Sequence, residues 1–95
     1  MAVKVFVPQV LRPDCDGAVT IDLAMGSGPV PLRSVLDELA ARHPRLDKRL
    51  RDDQGKVRRY VNVFVDDDEC RAVGGLDAPV GDGAEVRVLP SVAGG

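Results

Sequence analysis

The chain is poor in most of the side chains that do chemistry. Among its 95 residues only Phe6, Tyr60 and Phe64 are aromatic, and tryptophan is absent. That is too few for a platform on which the bases of single-stranded nucleic acid would stack. Histidine occurs once, at His43, and cysteine twice, at Cys15 and Cys70. A structural zinc site takes four Cys or His ligands and an iron–sulfur cluster four cysteines, so neither can be assembled. A Ser-His-Asp arrangement would depend on His43, which ends the helical pattern Ala40-Ala41-Arg42-His43-Pro44. There an imidazole simply faces the negative end of the helix dipole. Apolar runs are far shorter than a membrane span, and no basic, apolar leader opens the chain. Charge of one sign is missing too: thirteen Lys+Arg against fifteen Asp+Glu give a formal net charge of -2. No global field therefore draws the chain to nucleic acid or anionic lipid. The two cysteines are expected as free thiols of a cytoplasmic protein. An enzyme working through its own side chains is not expected.

What remains is the make-up of one folded domain, 44% hydrophobic and 29% charged. Met1 to Leu11 reads as a strand, with Val3, Val5 and Val7 alternating with Lys4 and Phe6, and Pro8 marking an edge or end. Arg12-Pro13-Asp14-Cys15-Asp16-Gly17 is a turn by composition. Ala18 to Leu23 returns as a second strand with Val19, Ile21 and Leu23 on one face, completing a hairpin. Gly26-Ser27-Gly28 lacks the further glycine of a dinucleotide fingerprint and the Gly-Lys-Ser/Thr of a P-loop, so it reads as plain loop.

Leu32, Val35, Leu36, Leu39 and Ala40 recur at helical spacing. Pro31 suits the first turn of that helix, and Pro44 ends it. Leu46 and Leu50 anchor one further turn. Arg59 to Val65 is the clearest strand, with Val61, Val63 and Val65 on one face and Tyr60, Asn62 and Phe64 on the other. A short strand is expected near Cys70-Arg71, and a last one from Ala84 to Leu89. The order ββαββ predicts an α+β fold in two layers, a mixed sheet covered by one helix, which is the β-grasp or ubiquitin-like arrangement. Residues 1–89 form that domain, and 90–95 form an extended tail.

The tail, Pro90-Ser91-Val92-Ala93-Gly94-Gly95, is the informative feature. Fully extended it reaches about 20 Å, enough to enter another protein's active site. Paired glycines carry no Cβ and thread a narrow channel. The reactive group is the Gly95 carboxylate, whose ordinary pKa is about 3.5. As an anion at neutral pH it resists nucleophiles until activated, most simply as an acyl-adenylate. A frayed terminus or a remnant of cloning is the plain alternative, against which the direct passage from strand to tail argues.

Three stretches resemble a family. They are Val5-Phe6-Val7-Pro8-Gln9-Val10-Leu11-Arg12-Pro13, Arg59-Tyr60-Val61-Asn62-Val63-Phe64-Val65-Asp66-Asp67, and Asp82-Gly83 with Val88-Leu89-Pro90-Ser91-Val92-Ala93-Gly94-Gly95. The chain is similar over its length to the ubiquitin-like sulfur carriers of the ThiS/MoaD type, and within them to the carriers of thiocarboxylate-dependent cysteine biosynthesis. The resemblance implies a carrier and no cofactor of its own. An E1-like adenylating enzyme would use ATP to convert Gly95 to an acyl-AMP, and a sulfur donor would displace AMP to leave a thiocarboxylate. This nucleophile would attack an aminoacrylate on a PLP-dependent cysteine synthase, and a zinc metallopeptidase would release the cysteine. Cys15, Cys70 and His43 receive no role. Other sulfur acceptors (molybdopterin, thiamine thiazole, a thiolated secondary metabolite) remain open, as do a ubiquitin-like modifier joined to lysines and an inert interaction domain.

Partners would grip the tail at Val92, Ala93 and Gly94. If the valine faces meet the helix, Phe6, Phe64 and Leu89 point outward together as docking residues, or as the scattered apolar groups any surface carries. The cations Arg42, Arg45, Lys48, Arg49, Arg51, Lys56, Arg58 and Arg59, followed by Asp66-Asp67-Asp68-Glu69, form either a solvated face of both signs or a steering surface for a partner.

Overall fold

The computed structural model describes residues 1–90. Ala2–Phe6 forms β1 and Thr20–Ala24 forms β2, antiparallel with Phe6 opposite Thr20 and Ala2 opposite Ala24. Val30–Pro31 is β3, Leu32–Arg42 is α1 and Pro44–Leu50 is α2. Val61–Val65 is β4, Asp68–Glu69 is β5, Pro79–Val80 is β6 and Glu85–Pro90 is β7. The main sheet runs β2-β1-β7-β4-β5, with β7 parallel to β1 and antiparallel to β4. This is the mixed sheet expected of a β-grasp, with the last strand at its centre beside the first.

The alternation read in the sequence decides which face is inside. Val3, Val5, Ile21, Leu23, Val61, Val63, Val65, Val86 and Val88 are buried beneath α1 and α2. The helices supply Leu32, Val35, Leu36, Leu39, Leu46 and Leu50, all buried. Pro44 both ends α1 and starts α2. It keeps His43 out of helical conformation (φ -136, ψ 75), and its own missing N–H costs nothing at a first helical position. His43 is thus a junction. Its N–H donates to the Leu39 carbonyl at 2.8 Å, and its carbonyl accepts from the Asp47 N–H at 3.2 Å.

Arg51, buried at the end of α2, ties the two helices together. Its Nε donates to Asp47 Oδ1 at 2.7 Å, and its Nη1 donates to Asp37 Oδ1 on α1 at 2.8 Å. Burial pushes the guanidinium's pKa down, but the two carboxylates outweigh it and raise the pKa above its ordinary value.

Several boundaries differ from the sequence expectation. The first strand stops at Phe6 instead of Leu11, because Pro8 has no N–H for the ladder and Gln9–Cys15 winds into a 3-10 helix that buries Leu11 and Cys15. The second strand begins at Thr20, leaving Val19 outside the strand and 54% exposed. Arg59-Tyr60 is a turn rather than the start of β4. The short strand falls on Asp68–Glu69, and Cys70–Ala72 is a 3-10 helix. Two helices, not one, cover the sheet. A second small sheet, β3 with β6, pairs Val30 with Val80 and Pro31 with Pro79. Proline can occupy such a short edge pair, where little of the ladder needs its N–H.

Candidate functional site at the end of the central strand

β7 carries the chain to its end through the middle of the sheet. Its alternation puts Val86 and Val88 in the core and Glu85, Arg87 and Leu89 on the opposite face. Pro90 still belongs to the strand, opposite Val61. Ser91, Val92, Ala93, Gly94 and Gly95 lie outside the described residues. β7 therefore ends beside the point where β1 gives way to Val7-Pro8 and β4 begins after Tyr60.

Phe6, Phe64 and Leu89 do share the outer face of the sheet, but they are not equivalent. Leu89 is 45% exposed, whereas Phe6 and Phe64 are half-buried. One cross-strand row reads Thr20, Phe6, Arg87, Phe64, Glu69. Arg87 thus separates the two rings, with its guanidinium over Phe6 and its Nη2 reaching Glu85 at 3.4 Å. Phe6 and Leu89 meet in a shallow groove of about 160 Å³ that also takes in Pro8, Arg12 and Val19. Phe64 lies beyond Arg87, outside that groove.

A second groove of about 160 Å³ lies on the other side of the strand end, lined by Val10, Leu11, Arg49, Tyr60 and Pro90. Val10 and Tyr60 are 61% and 50% exposed. Sequence reasoning missed Val10, Val19 and Tyr60 as surface groups. Tyr60 had a signal, since it shares the outward parity of Asn62 and Phe64. Val10 and Val19 had none, because both were assigned to strands that stop short of them.

Arg71 holds the turn that carries Tyr60. Its Nη2 donates to the carbonyls of Arg58 and Val61, each at 3.0 Å, and its Nη1 donates to Glu69 Oε1 at 3.3 Å. Burial pushes the Glu69 carboxyl up, but the Arg71 N–H, the Cys70 thiol and the Arg71 guanidinium together hold it below the usual carboxylate range.

Cys15 and Cys70 are buried free thiols, as expected. Cys70 is pushed up to about 11, first by burial and then by the Glu69 carboxylate beside it, so it stays a neutral thiol at physiological pH. Among the described residues, no group of three or more His, Cys, Asp and Glu side chains is placed to hold a metal ion. No helix among them is long and apolar enough to cross a membrane. What the described residues offer at this end is a pair of shallow grooves flanking the end of β7.

The ThiS family model matches residues 22–95. The chain is 38% identical over 97 residues to the sulfur carrier protein CysO of Mycobacterium tuberculosis (strain ATCC 25618 / H37Rv), with 100% of each chain covered. Its fold is similar to a chain of the BexX/CysO complex of Amycolatopsis orientalis, with TM-score 0.85 and 35% identity over 98% of this chain and 99% of that one. It is similar also to the crystal structure of Mycobacterium tuberculosis CysO, with TM-score 0.80 and 36% identity over 95% and 99%.

Proposed function

The chain belongs to the ThiS family, and on that footing we propose that the Gly95 carboxylate is its working group, adenylated and then converted to a thiocarboxylate. It is a ubiquitin-like sulfur carrier and not an enzyme. The observation that supports the site is the position of β7. The central strand, pinned on both sides by β1 and β4, ends at Pro90 within a rim of exposed Leu89, Tyr60, Val10 and Val19. A rigid body can then dock on that rim while the last residues enter a partner's channel.

The likeness to the sulfur carriers supports the partners of this reading. The carboxylate oxygen attacks the α-phosphorus of ATP and pyrophosphate leaves, the step an E1-like adenylating enzyme carries out for this family. A sulfide sulfur then displaces AMP. The product is an anionic nucleophile at neutral pH: its sulfur would bond to the β-carbon of an aminoacrylate held by a PLP-dependent cysteine synthase, and the Gly95 acyl group would then shift from sulfur to the amino nitrogen, leaving cysteine joined to Gly95 by an amide. A zinc metallopeptidase then frees the amino acid from Gly95. ATP and PLP belong to those enzymes. Val92, Ala93 and Gly94 line the partners' channel, while Phe6, Phe64 and Leu89 contribute to docking outside it. The setting is the cytoplasm, where the thiols of Cys15 and Cys70 stay reduced.

The test is an intact mass of the protein purified from its host under mild conditions. The expected result is replacement of one oxygen by sulfur at Gly95, or a cysteine residue added there. An unmodified mass that persists after incubation with ATP, the adenylating enzyme and sulfide would overturn the reading.

A further inference from the structure

The cations of this chain are not evenly satisfied. Exposed arginines elsewhere pair within the chain: Arg33 with Asp77, Arg42 with Glu38, Arg71 with Glu69 and Arg87 with Glu85. Between residues 45 and 59 the pattern changes. The side chains of Arg45, Lys48, Lys56 and Arg59 have no ion-pair or hydrogen-bond partner among the described residues. Arg58 spends its Nε on the Lys48 carbonyl at 2.9 Å. Arg49 reaches Asp14 at 3.2 Å while staying 59% exposed.

The cations of α2 share one face, whereas Lys56 lines a separate groove with Val57, Cys70, Arg71, Gly75 and Leu76. On α2, Leu46 and Leu50 point into the core, which turns Arg45, Lys48 and Arg49, spaced i, i+3 and i+4, outward together. The Arg58 bond to Lys48, with the Arg58 N–H bond to the Leu50 carbonyl at 2.9 Å, presses the Arg58-Arg59-Tyr60 turn against that helix. The apolar groove of Val10, Tyr60 and Pro90 adjoins these cations, and Arg49 lines its edge.

The other end of β4 has the opposite sign. Arg59 and Tyr60 precede Val61, whereas Asp66, Asp67 and Asp68 follow Val65, about 16 Å away along the strand. Asp82 sits at that acidic end as well, accepting from the Ala2 N–H at 2.9 Å. Pro90 pairs with Val61 and Val86 with Val65, so β7 ends at the basic pole. A formal charge of -2 thus hides a separation of charge along β4, with cations about Val61 and carboxylates beyond Val65, Asp52 beside Arg58 being an exception.

We propose that the face built by Arg45, Lys48, Arg58, Arg59 and Tyr60 docks on an acidic, apolar-centred surface beside the tail channel of the adenylating enzyme, and that the charge separation presents the tail end first. This rests on the carrier reading and adds to it the chemistry of the partner's rim. A protein surface fits better than nucleic acid. The centre of the face is apolar and carries a single aromatic ring, and the acidic pole would repel a long polyanion. The energetic contribution is to the encounter. Exposed charges give modest affinity but raise association rates by about ten- to a thousandfold, an effect that salt removes over a Debye length of about 10 Å.

The experiment measures association of the full chain with the purified adenylating enzyme at low and high salt, for the native protein and for Lys48→Glu/Arg59→Glu. A control, Lys4→Glu/Arg33→Glu, makes the same change of net charge elsewhere, and thermal melts confirm that each variant folds. The expected result is association slowed about tenfold or more by the first pair at low salt, converging with native at high salt, and about twofold or less for the control. Native-like association of the first pair, or equal slowing by the control, overturns the inference. Tighter binding to transfer RNA than to the enzyme overturns it too. Thiocarboxylation of native protein is followed in parallel. If it proceeds while the charge variants associate normally, only the docking inference fails; if native protein is neither bound nor thiocarboxylated, the carrier reading fails with it.

Discussion

The Arg87 guanidinium lies over the ring of Phe6, 5.1 Å from its carbon to the ring centroid, and stands between Phe6 and Phe64 in the cross-strand row. The two phenylalanines are therefore not one apolar patch but two half-covered rings with a cation between them. An exposed cation–π contact contributes about 0.5–1 kcal/mol. Arg87→Ala is expected to lower unfolding free energy by about 1 kcal/mol or less, measured by urea denaturation.

Phe64 lies outside the groove that Phe6 and Leu89 share, so its contribution to docking is separable from theirs. Phe64→Asp should weaken binding to the adenylating enzyme by about tenfold or more, which is roughly 1.4 kcal/mol. The valine face beneath it is untouched, and a cooperative melt should persist. Unchanged affinity in a calorimetric titration would remove Phe64 from the docking surface.

The clamp at Arg51 sets a different kind of expectation. Arg51 is 9% exposed, whereas its partner Asp37 is 61% exposed and can be rehydrated when the pair is broken. Removing the cation leaves the part-buried Asp47 carboxylate without the Nε donor it accepts from at 2.7 Å, and takes a second donor from the Leu36 carbonyl. Arg51→Met should therefore cost about 2–3 kcal/mol, somewhat below a fully buried pair. Asp37→Asn should cost about 1 kcal/mol or less. Equal losses for the two, by urea denaturation, would show that the geometry overstates the asymmetry.

Much of this was legible in the sequence because period and burial agree. The valines at 61, 63 and 65, and the leucines at 32, 36 and 39, went where alternation and helical spacing put them. What failed was local. Val10 and Val19 are good strand formers, but Pro8 breaks the ladder and tertiary packing of Leu11 and Cys15 draws the intervening chain into a 3-10 helix. Arg51 read as one cation in a run, since neither burial nor the approach of Asp37 from α1 leaves a trace in local pattern. The Gly-Gly terminus was the reverse case, plain in the sequence and lying outside the described residues.

Deleting Gly94 and Gly95 separates fold from function. Every buried core side chain among the described residues lies between Val3 and Val88, so the truncated chain should melt within about 2 °C of native. It should form no thiocarboxylate with ATP, the adenylating enzyme and sulfide. Restoring Gly94 alone should not recover the product, because the carboxylate would then fall one residue short, about 3.5 Å, of the activating site. Full thiocarboxylation of the truncated chain by mass measurement would move the reacting group away from Gly95.

Cys70 predicts how stability depends on pH at the alkaline end. The thiol is 1% exposed and is pushed up to about 11 from an ordinary value near 9.0, first by burial and then by Glu69. A raised folded value means the unfolded chain gives up this proton first. The stabilisation is complete below about pH 9 and is lost as pH rises toward 11, because only the unfolded state gains from ionising in that interval. Two units correspond to about 3 kcal/mol between those limits. Urea midpoints should fall from pH 8.5 to pH 10.5 in the native protein, and Cys70→Ala, less stable throughout, should fall by much less. In the same window the native thiol should react with a thiol reagent only at the rate of unfolding. Rapid modification at pH 8 would show that Cys70 is more open to solvent than its packing beneath Glu69 and Arg71 requires.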